Sequence, residues 1–190
     1  SDQSLSVSLY VDGRFSTHST SDLRPEAVET FLTQAIDLTR YLEIDDARSL
    51  PDPIGYEGRP DIDLELFDPS YEEVTGEMRR SEVAELEALA REASQHLGDK
   101  GISVSSSIGD QSVEGARVHT NGFEGARKGT TFGASVSINL KEDDGKRPVG
   151  GGYSYRRHRS DLRHFSDVVK EAVENAEGKL GAQKINTGSY

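Results

Sequence analysis

Five histidines, several carboxylate pairs, a glycine triplet and one run of bases are the residues whose chemistry could be put to work in this chain. His18, His96, His119, His158 and His164 form no His-Glu-x-x-His, His-x-His or paired helical spacing, so no zinc site is legible. Asp45-Asp46, Asp61/Asp63 and Asp143-Asp144 pair carboxylates, but each pair falls in a predicted exposed loop. Acid/base work needs burial or crowding to raise a carboxyl pKa, and a loop supplies neither. Gly150-Gly151-Gly152 lacks the Lys-Ser/Thr and following helix of a phosphate loop, and it reads instead as a flexible strand entry. No Gly-x-Ser-x-Gly elbow is present, and the absence of cysteine removes thiolate nucleophiles, disulfides and Cys-based metal sites. The residues alone therefore name no catalytic group, no metal ligand and no cofactor site. What remains is Arg156, Arg157, His158 and Arg159, a basic rim that is the candidate contact for a peptide or partner.

Charge and length narrow the classes further. With 34 acidic against 22 basic residues the 190-residue chain carries −12, which repels phosphate backbones and argues against nucleic acid. No run approaches the roughly 18 apolar residues of a membrane span, and the residues after Ser1 show neither a basic n-region nor an apolar h-region. A cysteine-free chain fits a reducing cytoplasm.

The elements that must position these residues follow from periodicity. Leu5, Val7, Leu9 and Val11 alternate with polar residues, and Asp12-Gly13 then predicts a hairpin over 4–19. Pro25 opens a helix over about 25–42 whose stripe is Val28, Phe31, Leu32, Ala35, Leu38 and Leu42. Residues 43–69, broken by Pro51, Pro53, Pro60 and Pro69, predict an extended loop pinned by Leu64 and Phe67. Val83, Leu86, Ala90, Ala93 and Leu97 predict a helix over about 77–97, ended by Gly98. Four strand-like runs follow, 102–108, 113–120, 123–140 with an interruption near Gly129, and 151–157, giving a meander over 102–157. Asn121-Gly122 predicts the same turn as Asp12-Gly13, and a third helix over about 160–178 is capped by Ser160 or Asp161. Strands and helices come in blocks, so the fold class is α+β, an antiparallel hairpin and meander packed with about three amphipathic helices in one domain, 1–190. Ser103, Ser105, Ser107 and Ser135, Ser137 alternate as one wet sheet face, which could receive an extended peptide.

Ordered segments carry a resemblance. Ser19-Thr20-Ser21-Asp22-Leu23, Pro25-Glu26-Ala27 and Ala35-Ile36-Asp37-Leu38-Thr39-Arg40-Tyr41 come first, then Leu50-Pro51-Asp52-Pro53 and Asp61-Ile62-Asp63-Leu64. Phe67-Asp68-Pro69, Thr120-Asn121-Gly122-Phe123 and Lys184-Ile185-Asn186-Thr187-Gly188 follow. Together they resemble the TldD/PmbA family, its PmbA/TldE branch most closely, over nearly the whole chain. The resemblance implies the N-terminal domain of a subunit of a zinc metalloprotease that processes or degrades unfolded peptides, this chain being the non-catalytic partner. It implies a TldD-like partner or a homo-oligomer, with zinc held by the catalytic partner or by a segment outside this chain. The family's His-Glu-x-x-x-His segment has no match here, so no catalytic role is carried over. The beginning at Ser1 and the end after a helix suggest a piece of a longer chain. The competing class is a non-enzymatic peptide-binding module or regulator using the exposed sheet face. The family's older label as a gyrase modulator sits poorly with the charge. On the metalloprotease reading, Arg157→Glu slows cleavage of an unstructured peptide in the full complex without changing the melting temperature.

Overall fold

The structure is a computed structural model and describes residues 2–60, 62–183, 187 and 188. Asp61 of the Asp61/Asp63 pair, and Lys184, Ile185 and Asn186 of the terminal motif, lie outside the described residues. The chain divides into two compact units, 1–60 with 118–124, and 61–117 with 125–190.

In the first unit, β1 (Leu5–Val11) pairs antiparallel with β2 (Arg14–Thr20), Leu5 opposite Thr20 and Val11 opposite Arg14. Asp12 and Gly13 both take positive φ, 49° and 73°, as a tight two-residue turn requires. α1 (Pro25–Thr39) packs on this hairpin, with Ala35 and Thr39 buried. Its stripe is narrower than predicted: Leu38 is 58% exposed, and Leu42 lies beyond the helix end. Thr39 takes the inward position instead, its hydroxyl 2.5 Å from that of Ser16 and 2.6 Å from the Ala35 carbonyl, so a polar residue occupies the core-facing site.

The same unit holds a short 3₁₀ turn, Pro53–Tyr56, and the tip 118–124. The Tyr56 hydroxyl lies 2.9 Å from His119 Nδ1, its ring 4.9 Å from that of Phe123, and Asn121 donates to the Pro51 carbonyl at 2.5 Å. The Asn121-Gly122 connection differs from the Asp12-Gly13 turn, since only Gly122 has positive φ, 97°. It is a three-residue connection closed by the His119 N–H on the Phe123 carbonyl.

The second unit is built on β3 (Gly101–Val118), β4 (Glu124–Leu140) and β5 (Val149–Arg156), an antiparallel sheet in that order. The runs 102–108 and 113–118 are one strand, and His119 and Thr120 fall in the turn that follows it. The apolar alternation lapses at Asp110 because that carboxylate, 4% exposed, takes an inward-facing position and is neutralised by Arg79. α2 (Gly76–Ala93), capped by Thr75 on the Met78 N–H, and α3 (Phe165–Glu177) cover one face of the sheet. The predicted third-helix cap is not seen: Ser160 and Asp161 fall in a separate 3₁₀ turn, and His164 precedes the helix without a side-chain cap. Leu86, Ala90, Val136, Ile138, Leu140, Val168 and Ala172 form the centre of the core.

The glycine triplet is interior strand and not a flexible entry. A Cβ on Gly150 would stand 2.1 Å from the Ala176 nitrogen, and one on Gly152 would stand 2.0 Å from the Val168 carbonyl. Alternate glycines on one face of β5 thus let the α3 backbone lie directly on the strand. β4 is likewise uninterrupted, and Gly129 marks a close approach, because a Cβ there would sit 3.3 Å from the Leu66 carbonyl. The loop 62–69 is held at Leu66, Phe67 and Asp68, whereas Leu64 is 64% exposed and pins nothing.

Candidate functional site on the three-stranded sheet

The basic run leaves β5 and turns back across the start of β4. Arg156 is exposed and donates to the Tyr155 carbonyl at 2.8 Å. Arg157 reaches the Thr130 carbonyl at 3.3 Å, and its own carbonyl accepts the Thr130 hydroxyl at 2.9 Å. His158 Nε2 lies 2.7 Å from the Glu65 carbonyl. Arg159 forms an ion pair with Glu82, and its N–H donates to Asp68 Oδ2 at 2.8 Å. Buried Asp68 also accepts the Ser70 N–H, and these backbone donors, Arg159 first, hold its carboxyl below the ordinary value despite burial. His158 and Arg159 therefore tie down the 62–69 loop directly, Arg157 ties β5 to the start of β4, and Arg156 makes no contact beyond its neighbour's carbonyl among the described residues.

The sheet face turned away from the helices is better suited to binding. Strand alternation sends Ser105 and Ser107 of β3, Ser135 and Ser137 of β4, and Tyr153 and Tyr155 of β5 to this side, around a shallow concavity of 360 Å³. Ser135 stands opposite Tyr153 and Gly133 opposite Tyr155. The Tyr155 ring lies over Gly133, where a Cβ would come within 2.5 Å of it. The two tyrosines are 61% and 57% exposed, with ring centres 5.9 Å apart. A second hollow of 260 Å³, lined by Ser107, Gln111, Thr131 and Tyr155, continues the face toward Asp110. The Asp110 carboxylate is already engaged, accepting from Arg79 Nε at 2.5 Å and Nη2 at 2.6 Å, which pushes the guanidinium pKa up.

Hydroxyls, amides and aromatic rings on a rigid strand framework offer adaptable hydrogen bonding and low-entropy contact area. None of the residues lining the 360 Å³ concavity is an imidazole, carboxylate or amine that would activate one of these hydroxyls. Tyr153 and Tyr155 are the residues that sequence reasoning missed. Their signal was the Tyr-Ser-Tyr alternation, which puts both rings on the face that carries Ser135.

The outer edge of β5 is closed by side chains. The carbonyls of Val149, Gly151, Tyr153 and Tyr155 accept from Lys179 (2.5 Å), Asn175 (2.8 Å), Arg163 (3.3 Å) and Arg156 (2.8 Å). Such capping blunts an edge strand against pairing with another chain.

Among the described residues no three His, Asp or Glu side chains converge on a point that could hold a metal ion.

The family model for the PmbA/TldA metallopeptidase central domain matches residues 64–180. The chain belongs to the PmbA/TldD family. That description assigns residues 64–180 of this PmbA/TldD chain to the central domain, where the sequence reading places the whole chain in the N-terminal domain. Metalloprotease PmbA of Escherichia coli O157:H7 is 27% identical over 191 residues, spanning 98% of this chain and 40% of that protein. A crystal structure described as a candidate modulator of DNA gyrase, from Bacteroides thetaiotaomicron, superposes with a TM-score of 0.83 at 34% identity over 98% of this chain and 42% of its own. TldE from Thermococcus kodakarensis shares the fold, with a TM-score of 0.61 at 19% identity over 87% of this chain and 35% of that one. The chain thus spans about two fifths of the length of these PmbA/TldD relatives. Among the described residues no helix is long and apolar enough to cross a membrane.

Proposed function

We propose that this chain is the peptide-handling portion of a non-catalytic, PmbA/TldE-like subunit of a cytoplasmic zinc metalloprotease, working with a TldD-like subunit or a second copy of its own kind. The observation that carries the reading is the sheet face of serine hydroxyls and two exposed tyrosines, with no metal-holding cluster of three His, Asp or Glu among the described residues. A surface of this composition suits a partner of variable sequence, because its contacts are rings and rotatable hydroxyls and not one charge pattern. The substrate class is unfolded polypeptide, and zinc is held by the catalytic partner subunit.

The test uses the full-length protein paired with its TldD-like subunit. The Tyr153→Ala/Tyr155→Ala double variant lowers kcat/KM for an unstructured peptide about tenfold, the worth of roughly 1.4 kcal/mol of contact energy. Zinc content and melting temperature stay unchanged. Unaltered kcat/KM would remove this face from the reaction, and zinc bound to this subunit alone would overturn its non-catalytic role.

A further inference from the structure

The seam between α2 and α3 is a second surface that the peptide-handling reading does not use. The two helices run side by side. Near the helix starts Arg159 pairs with Glu82, and at the far end His96 Nε2 sits 2.6 Å from Glu177. Between these points an apolar trough of 550 Å³ opens to solvent, floored by Leu89, Ala93, Val169 and Val173. It is continuous, through Leu89 and Ser166, with a hollow of 590 Å³ nearer the helix starts. From Glu82 to Ala93 the trough follows 12 residues of helix, about 16 Å over its 11 steps of 1.5 Å. That is the length of three helical turns.

The charges on its rims are unequal. Arg159, Arg163 and Lys170 are each matched by a carboxylate of Glu82, Glu171 and Glu174. Glu85 and Glu92, which border the trough, are seven positions apart and hence two turns apart on one side of α2. Among the described residues neither has an ion-pair partner. An apolar trough with two unmatched carboxylates at helical spacing complements one kind of occupant, an amphipathic helix with its apolar stripe inward and cations seven residues apart on its flank.

We propose that the α2–α3 trough docks a basic amphipathic helix from another protein, its lysines or arginines meeting Glu85 and Glu92 and its apolar residues covering Leu89 and Val173. The proposal stands apart from the peptide-handling face, since it uses the opposite side of the same sheet.

The probe is a fluorescent helical peptide of about 15 residues with a leucine stripe and two lysines seven positions apart, titrated onto the full-length protein and followed by anisotropy. Saturable binding is expected, weakened at least tenfold by Glu85→Lys/Glu92→Lys and by Leu89→Asp, and weakened by salt. Both glutamates are exposed, so the double charge variant keeps its fold, and an unchanged melting temperature confirms this. Equal binding of a peptide with glutamates in place of the lysines, equal binding to the double variant, or no saturation would each overturn the proposal.

Discussion

Thr130 shows how much of this molecule depends on single polar atoms. Its hydroxyl accepts the Asp68 N–H at 2.9 Å and donates to the Arg157 carbonyl at 2.9 Å, while its own N–H donates to the Leu66 carbonyl. Thr130→Val keeps the shape and strands two groups, so it should cost about 1–3 kcal/mol in urea unfolding. Asp68 belongs to the same cluster. Its folded pKa is depressed, so its contribution is present above the ordinary carboxylate value and is lost as pH falls through the folded one. Asp68→Asn should therefore lower stability at neutral pH, with the difference from the parent shrinking steadily in acid. Because Arg157 is part of this cluster, Arg157→Glu should lower the melting temperature, contrary to the expectation drawn from sequence. A basic run reads as a rim in sequence, since nothing in the string reveals that backbone carbonyls 27 and 93 residues away will claim its donors.

At the scale of elements, legibility followed the source of the signal. The β1–β2 hairpin, α1, α2 and α3 show in the sequence because apolar periodicity and Asp-Gly turn chemistry are local. The merging of two runs into β3 does not show, because Asp110, a buried carboxylate paired with the half-buried Arg79, fills an apolar position. The wet face was legible from its serines, and its tyrosines were missed because two large rings resemble core residues until the strand register is known. The glycine triplet makes a sharp prediction. Gly152→Ala would drive a Cβ into the Val168 carbonyl and should cost about 3 kcal/mol, the upper range for overpacking. Gly151→Ala meets nothing nearer than 3.7 Å and should be nearly neutral in the same denaturation experiment. The seam between α2 and α3 carries its own pH dependence. Glu177 raises the pKa of His96 through their hydrogen bond. This contribution is full below the ordinary histidine value and disappears as pH rises through the raised one. His96→Gln should accordingly destabilise the chain more at about pH 5.5 than at about pH 9.

For the whole molecule, the division into two units predicts separable fluctuations. Tyr56→Ala removes the ring that meets His119 and Phe123, so amide exchange should quicken at Gly55 and Glu57 while the amides of α3 keep their protection. Uniform acceleration across both units would show that they open together. The net charge of −12 and the metallopeptidase family set the context in which these motions act.

The tip of the β3–β4 hairpin has a consequence for inheritance. Residues 118–124 are counted with 1–60 although 57 residues of the other unit intervene. Recombination between homologous genes exchanges contiguous stretches of sequence. A crossover near residue 60 would give Tyr56 from one parent a His119 and Phe123 from another. Substitutions in the segment 51–59 and in the tip should thus be inherited as matched sets, and a chimera joined at residue 60 should recover its stability when seven tip residues are carried across with the graft.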